Sequence, residues 1–386
     1  MMHLPIYILA LSIFAMTTSE FMVAGMLPAI SSTLNVSIPM AGFLVSIFAA
    51  SIVIGGPILT LFLFRFRQKS ALIFLMFLFF FSQVIGAVSE SYPTMVLSRI
   101  LGGVAESAFF GVAISIAVSM VDSDKQGRAA SIVLAGIMIA SVVGLPMATQ
   151  IDQSYGWRYS FWIVAAMTLI CTVIVIFSIP KSPRPINVSI RAELEALKNK
   201  SLWAAYCTSG LIIGATFSAF TFFAPIFTEA AQLDVSMLPI LFAGYGAATV
   251  IGNIIVGRFA DKYSMEIMAI GLFILATTLI LMALNINNTT IAIGCALIIG
   301  FTGLPMNPAM VTRVMRSSNN GALVNSLHMS IINLGIVIGS WLSGLLVQAN
   351  YGWTSPLWFG ATLALLGLVS LLPYVKTNTL VLEMEK

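Results

Sequence analysis

Tyr155-Gly156-Trp157 returns as Tyr351-Gly352-Trp353, 196 positions further along a chain of 386 residues. The same offset carries Gly56, in a small-residue turn ahead of a basic loop, onto Gly252, ahead of Gly257-Arg258-Phe259-Ala260-Asp261-Lys262. Two landmarks at one spacing predict one unit written twice. The chain is 59% hydrophobic and 8% charged, with a mean hydropathy of +1.02, a composition outside the soluble range. Duplicated halves in such a chain point to a transporter, because two similar bundles can rock about a site held between them.

The apolar residues fall in blocks of roughly 20, the length that crosses a bilayer. Twelve spans are predicted, at about 5–27, 41–63, 70–88, 93–120, 127–149, 158–179, 202–227, 237–257, 265–284, 289–310, 322–347 and 354–374. The expected fold is an all-α membrane protein of 12 transmembrane helices in two pseudo-symmetric six-helix bundles, residues 1–180 and 201–386. A cytoplasmic linker, 181–200, opens with Pro180, Pro183 and Pro185; Ile190, Leu194 and Leu197 share one face of a short amphipathic helix within it. The first block carries Glu20 and lacks a basic leader and a small-residue cleavage site, so it reads as a helix and not a signal peptide.

Charge sets the orientation. With the N-terminus inside, 16 of the 18 Lys and Arg residues face the cytoplasm, Arg313 and Arg316 among them as loop residues; Arg158 lies outside and Arg99 within a span. Both termini are therefore expected in the cytoplasm of a cell whose inner membrane holds the protein. The net charge of +4 is scattered over short loops, a topology signal and not a nucleic-acid footprint. Cys171, Cys207 and Cys295 fall inside spans, as buried apolar filler with neither disulfide nor metal-ligand spacing. No cofactor, metal site or nucleophile–base set is expected, which disfavours an enzyme, and a monomer in the lipid bilayer is the simplest assembly.

Three charged residues lie where charge is expensive. Glu20, about fifteen residues into the first span, sits past the midplane among apolar neighbours. An ionised, unpaired carboxylate there costs several kcal/mol, so a group able to take up a proton is the functional reading and a structural carboxyl the plain one. Arg99 and Glu106 share one face of the fourth span, two turns apart. Arg99 matches Glu20 in depth, and an Arg99–Glu20 contact disturbed by substrate would link binding to proton release. Glu106 is a second candidate proton carrier. Candidate cavity residues are Glu20, Phe217, Phe220, Asn253, Asn307 and His328, although phenylalanines also face lipid and a lone histidine is more often a hydrogen-bonded core residue. Small residues recur every fourth position in the fifth span (Gly136, Ala140, Gly144, Ala148) and the eighth (Gly244, Ala248, Gly252). Such stripes permit close helix approach, either as a sliding contact between halves or as ordinary packing. Pro146, after Gly144-Leu145, predicts a bend.

These stretches resemble the major facilitator superfamily, and within it the bacterial 12-spanner drug:proton antiporters, over essentially the whole chain. Ser19-Glu20-Phe21, Gly25 and Leu27-Pro28 resemble the first helix of exporters for chloramphenicol, sugars and purine nucleosides. Arg99-Ile100-Leu101-Gly102-Gly103 resembles the family's helix-four arginine motif, tied to proton coupling. Gly136 through Gly144-Leu145-Pro146 resembles the antiporter motif, with its usual Gly-Pro pair split by Leu145. The loop between the second and third helices departs from the family pattern: Phe64 stands at the Asp place, and Arg65 and Lys69 keep the basic positions. The second copy, Gly257, Arg258, Asp261 and Lys262, is better preserved, which puts the cytoplasmic latch on Asp261. The resemblance implies proton-coupled efflux of small amphipathic molecules by alternating access; the alternative is an exporter of one metabolite, such as a sugar, purine nucleoside or metal chelator.

Overall fold

The computed structural model describes residues 4–63, 66–122, 125–179, 198–317 and 322–384, all of its regular structure helical. The chain divides into two compact units, Met1–Asn187 with Asp234–Ala243, and Val188–Leu233 with Gly244–Lys386. The amphipathic linker helix, Phe64 and Arg65 lie outside the described residues.

In the first unit the spans are α1 (Leu4–Gly25) and its short continuation α2 (Leu27–Leu34), α3 (Ile38–Leu63), α4 (Gln68–Ala87), α5 (Tyr92–Ser119), α6 (Gln126–Ile139) leading into α7 (Leu145–Tyr155), and α8 (Trp157–Ser178). Helix α1 packs on α6 and α8, and α5 is flanked by α3 and α4. In the second unit α9 (Lys200–Phe220) packs on α13 (Ala322–Gln348) and α14 (Ser355–Met384); α10 (Leu238–Leu284), which belongs to this unit from Gly244 on, α11 (Thr289–Thr302) and α12 (Asn307–Arg316) complete the order. Eleven of these helices or helix pairs are long and apolar enough to cross a membrane. One of the eleven, α10 with its leading turn, runs 50 residues, roughly 75 Å and more than twice a hydrocarbon core. It breaks at Tyr263 (φ −124°, ψ 33°), so each side of the break has the length of one crossing and the chain is consistent with twelve.

Proline decides where the helices yield. Pro146 has no N–H to return to the preceding turn, and the chain widens into a π-turn over Ala140–Gly144, with the Leu145 N–H bonded back to the Ala140 carbonyl. The helix is thus interrupted just before Pro146, at the place expected for a bend in the fifth span. Gly303, Leu304 and Pro305 likewise break the tenth span between α11 and α12.

The internal repeat is visible in backbone and side chain alike. Gly156 (φ 92°) and Gly352 (φ 77°) both take the left-handed backbone that favours glycine. Each reverses the chain and sets the following tryptophan for the same bond. Trp157 Nε1 donates to Thr33 Oγ1 at 3.2 Å and Trp353 Nε1 donates to Glu229 Oε2 at 3.0 Å, partners that are themselves 196 positions apart. The breaks that end the first helix of each copy match too: Met26 (φ −115°, ψ 12°) and Phe222 (φ −107°, ψ 15°). The tripeptide that announces the repeat is thus a helix stop, a left-handed glycine and a tryptophan anchor.

Candidate functional site

In the first unit α1 and α5 bring most of the candidate charges together. Arg99 is 1% exposed; its Nη1 donates to the Ser19 carbonyl at 2.9 Å and to Ser19 Oγ at 3.2 Å, and its Nη2 to the Glu20 carbonyl at 3.4 Å. The guanidinium also lies 4.0 Å from the Phe48 ring centroid, a favourable face for a desolvated cation. The expected meeting of Arg99 and Glu20 is therefore through the backbone: among the described residues no ion pair joins the guanidinium to the Glu20 carboxylate. That carboxylate is half-buried.

Two turns along α5, Glu106 is wholly buried. Its Oε1 accepts from Thr17 Oγ1 at 3.4 Å, while Oε2 has no partner. Ser19 Oγ reaches Gln83 Oε1 at 2.9 Å, and Gln83 Nε2 donates to Ser82 Oγ at 3.1 Å. A polar seam thus runs along α1, α4 and α5 in two hydrogen-bonded sets, Arg99–Ser19–Gln83–Ser82 and Thr17–Glu106. Sequence reasoning missed Thr17 and Gln83. Gln83 carried a signal, a large amide inside an apolar span, whereas Thr17 is ordinary in such a helix.

The small-residue stripe of α6 and α7 packs on the same helix α1. A Cβ on Gly136 would strike the Ala10 carbonyl, and one on Gly144 the Thr18 hydroxyl. Both glycines therefore face α1 within their own unit, where close approach is what they permit. Gly252 of α10 likewise meets the Phe301 carbonyl and Pro305 of its own unit. Pro146 is buried beside the π-turn.

In the second unit Phe217 and Phe220 are 2% and 3% exposed, so neither is a lipid-facing phenylalanine. Phe220 stacks on Tyr245 at 5.0 Å, and Phe217 and Phe223 meet Phe220 edge-on at 5.4 and 5.9 Å. The Tyr245 hydroxyl is buried without a partner. His328 contacts Ser209 Oγ through Nε2 at 3.0 Å and stacks on Tyr206 at 6.0 Å. Tyr206 belongs to the packed core with Leu202, Val314 and Val324, and His328 is 2% exposed beside it, the setting of a hydrogen-bonded core histidine. Asn253 is half-buried on α10, and Asn307, which opens α12, has an unpartnered Oδ1.

The loop candidates also acquire partners. Asp261 Oδ1 accepts from Thr312 Oγ1 at 3.4 Å, and its carbonyl accepts from Arg316 Nη2, tying the end of α12 to α10; Gly257–Lys262, expected in a loop, lie within that helix just before its break at Tyr263. Lys262 lies 5.1 Å from the Tyr263 ring; Gly257 and Arg258 are exposed. Lys69 Nζ caps α8, donating to the Ile176 and Ile179 carbonyls at 2.7 and 2.6 Å, where a cation also suits the helix dipole. Two further expectations are corrected. Arg313 is not a loop residue: it lies in the last turn of α12 and is 5% exposed, because a long side chain near a span end can fold inward. Cys207 is exposed, unlike Cys171 and Cys295.

The chain is similar to known transporters along its length. It is 32% identical over 378 residues to the "Inner membrane transport protein YdhP" of Escherichia coli, covering 97% of this chain and 96% of that one. It is 29% identical, with the same coverage, to the "Chloramphenicol resistance protein" of Streptomyces lividans. Among solved structures, a mutant of the peptide transporter POT in complex with alafosfalin superposes with a TM-score of 0.76 at 13% identity, covering 95% of this chain and 92% of that one. The Major Facilitator Superfamily description matches residues 9–323. With that match spanning most of the sequence, the chain belongs to the Major Facilitator Superfamily, a multi-pass membrane transporter.

Proposed function

We propose that the protein exports small amphipathic molecules across the bacterial inner membrane in exchange for protons, by alternating access, with both termini cytoplasmic. The observation that carries this reading is the seam on α1 and α5. Arg99 is spent on the Ser19 and Glu20 carbonyls, so the Glu20 carboxylate stands beside a fixed positive charge without being paired to it. In that position a proton on Glu20 and a cationic or polarisable substrate compete for the same field. Glu106, buried with one oxygen unpartnered, is the second proton site on the same seam.

In the outward-facing state Glu20 takes a proton as substrate leaves; in the inward-facing state substrate entry displaces it. One charge moving down about 150 mV supplies roughly 3.5 kcal/mol, enough for about 300-fold accumulation of a neutral substrate. The resistance named for the Streptomyces lividans relative supports a drug-sized amphipath over a single metabolite, and the aromatic cluster of Phe217, Phe220 and Tyr245 suits such a molecule.

The test is substrate-induced proton release from purified protein over a compound panel, comparing wild type with Glu20→Gln. Release by several unrelated amphipaths, lost in Glu20→Gln, is the expected result. Undiminished release in Glu20→Gln sinks the role of Glu20, and a response confined to one metabolite sinks the multidrug reading.

A further inference from the structure

Among the described residues each unit buries one arginine, Arg99 in the first and Arg313 in the second, and neither makes an ion pair. Arg313 is 5% exposed. Its Nη1 donates to Thr208 Oγ1 at 2.8 Å, and its guanidinium lies 5.2 Å from the Tyr374 ring centroid. Its Nη2 is buried with no partner. The nearby hydroxyls are already engaged: Thr208 Oγ1 is 2.7 Å from Ser370 Oγ, which reaches the Gly367 carbonyl at 2.6 Å. Among the described residues Arg313 makes no ion pair. A buried cation with an idle N–H and no counter-charge is an expensive arrangement, relieved when an anion from outside the chain completes it.

We propose that Arg313, set by Thr208 of α9 and roofed by Tyr374 of α14, is a binding site for a phosphate oxyanion at the basic end of the second unit. Guanidinium is the side chain suited to that chemistry, since two N–H groups of its fork fit two phosphate oxygens. The position favours such a ligand. Arg316 and Lys200 lie at the same helix ends, and Tyr374 closes the last membrane-spanning stretch. Trp203, 50% exposed and five residues before Thr208 on α9, marks the depth at which interfacial tryptophans sit beside lipid headgroups. Cys207, next to Thr208, is exposed on the same helix. Half-buried Tyr374 is the side chain that swings aside to admit the anion. The same chemistry comes from two sources, the headgroup of an anionic phospholipid or free phosphate, and the experiment separates them.

Purified full-length protein is examined by native mass spectrometry after exchange into phosphatidylglycerol or phosphatidylcholine nanodiscs, and separately titrated with inorganic phosphate. Wild type is expected to retain phosphatidylglycerol in preference to phosphatidylcholine, or to bind phosphate. Arg313→Gln should weaken that binding about tenfold, the loss expected for one charge-assisted hydrogen bond. Arg128→Gln, which removes an exposed charge elsewhere, should leave it unchanged. Arg313→Lys keeps the charge without the fork, should bind with intermediate affinity, and serves if Arg313→Gln does not fold. Retention of phosphatidylglycerol alone assigns the lipid as source, and binding of phosphate alone assigns the free anion. Wild type that holds neither overturns the site, as does binding unchanged in both Arg313 variants.

Discussion

The two units share a scaffold and differ in what they bury. Both stop a helix at a left-handed glycine, both anchor the next tryptophan on the first helix of the copy, and both break that first helix at the same repeat position. These features fix where backbones turn, so either copy loses its shape without them. The interiors are free to diverge. The first unit holds Glu20, Glu106 and Arg99 along one polar seam, whereas the repeat equivalents of Glu20 and Arg99 are Thr216 and Cys295. The second unit holds an aromatic cluster and, among the described residues, a buried arginine that makes no ion pair. The charge at one further repeat place also differs, Asp261 on α10 standing where the first copy has Arg65. A duplicated fold therefore constrains turns and helix crossings far more tightly than the chemistry lining its helices.

That contrast can be broken most forcefully at the arginines. Arg99→Gln should destabilise the purified protein by about 3 kcal/mol or more, because it removes one partner of a buried hydrogen-bonded charge. The equivalent change at Arg313, which makes one hydrogen bond where Arg99 makes three, should cost less. Denaturant or thermal unfolding that ranks them the other way would show the second interior to be the more tightly organised.

A smaller and more symmetric effect is expected where backbones touch. A Cβ on Gly136 would strike the Ala10 carbonyl, and one on Gly339 the Gly214 carbonyl. Gly136→Val and Gly339→Val should each lose about 2 kcal/mol from overpacking, measured as matched falls in thermal stability. A fall at only one site means that only one copy depends on close approach. Trp157→Phe and Trp353→Phe, each deleting one anchor bond, should cost about 1 kcal/mol apiece in the same assay. A larger loss at Trp353 would credit the carboxylate acceptor Glu229 over the hydroxyl of Thr33. Tyr245→Phe should lie within about 0.5 kcal/mol of wild type or be slightly stabilising, since its buried hydroxyl has no partner to lose. A marked loss there would reveal a bond made by that hydroxyl in another state of the transporter.

Sequence alone determined the membrane class, the duplication, the approximate spans and three of the costly charges, Glu20, Arg99 and Glu106. Each of these follows from local arithmetic: roughly 20 apolar residues fill a bilayer, 196 positions separate equivalent landmarks, and a carboxylate in hydrocarbon is conspicuous wherever it points. Tertiary structure alone decided what those groups touch. Arg99 met carbonyls and not the Glu20 carboxylate, because side-chain reach is set by how α1 and α5 cross. Gln83 and Thr17 joined the seam from separate spans. Arg313 turned inward although its position near a span end read as a loop charge, and Gly136 and Gly144 faced α1 of their own unit. Helical periodicity tells which residues share a face; only packing tells which face meets which, and therefore where a buried charge finds, or lacks, its partner.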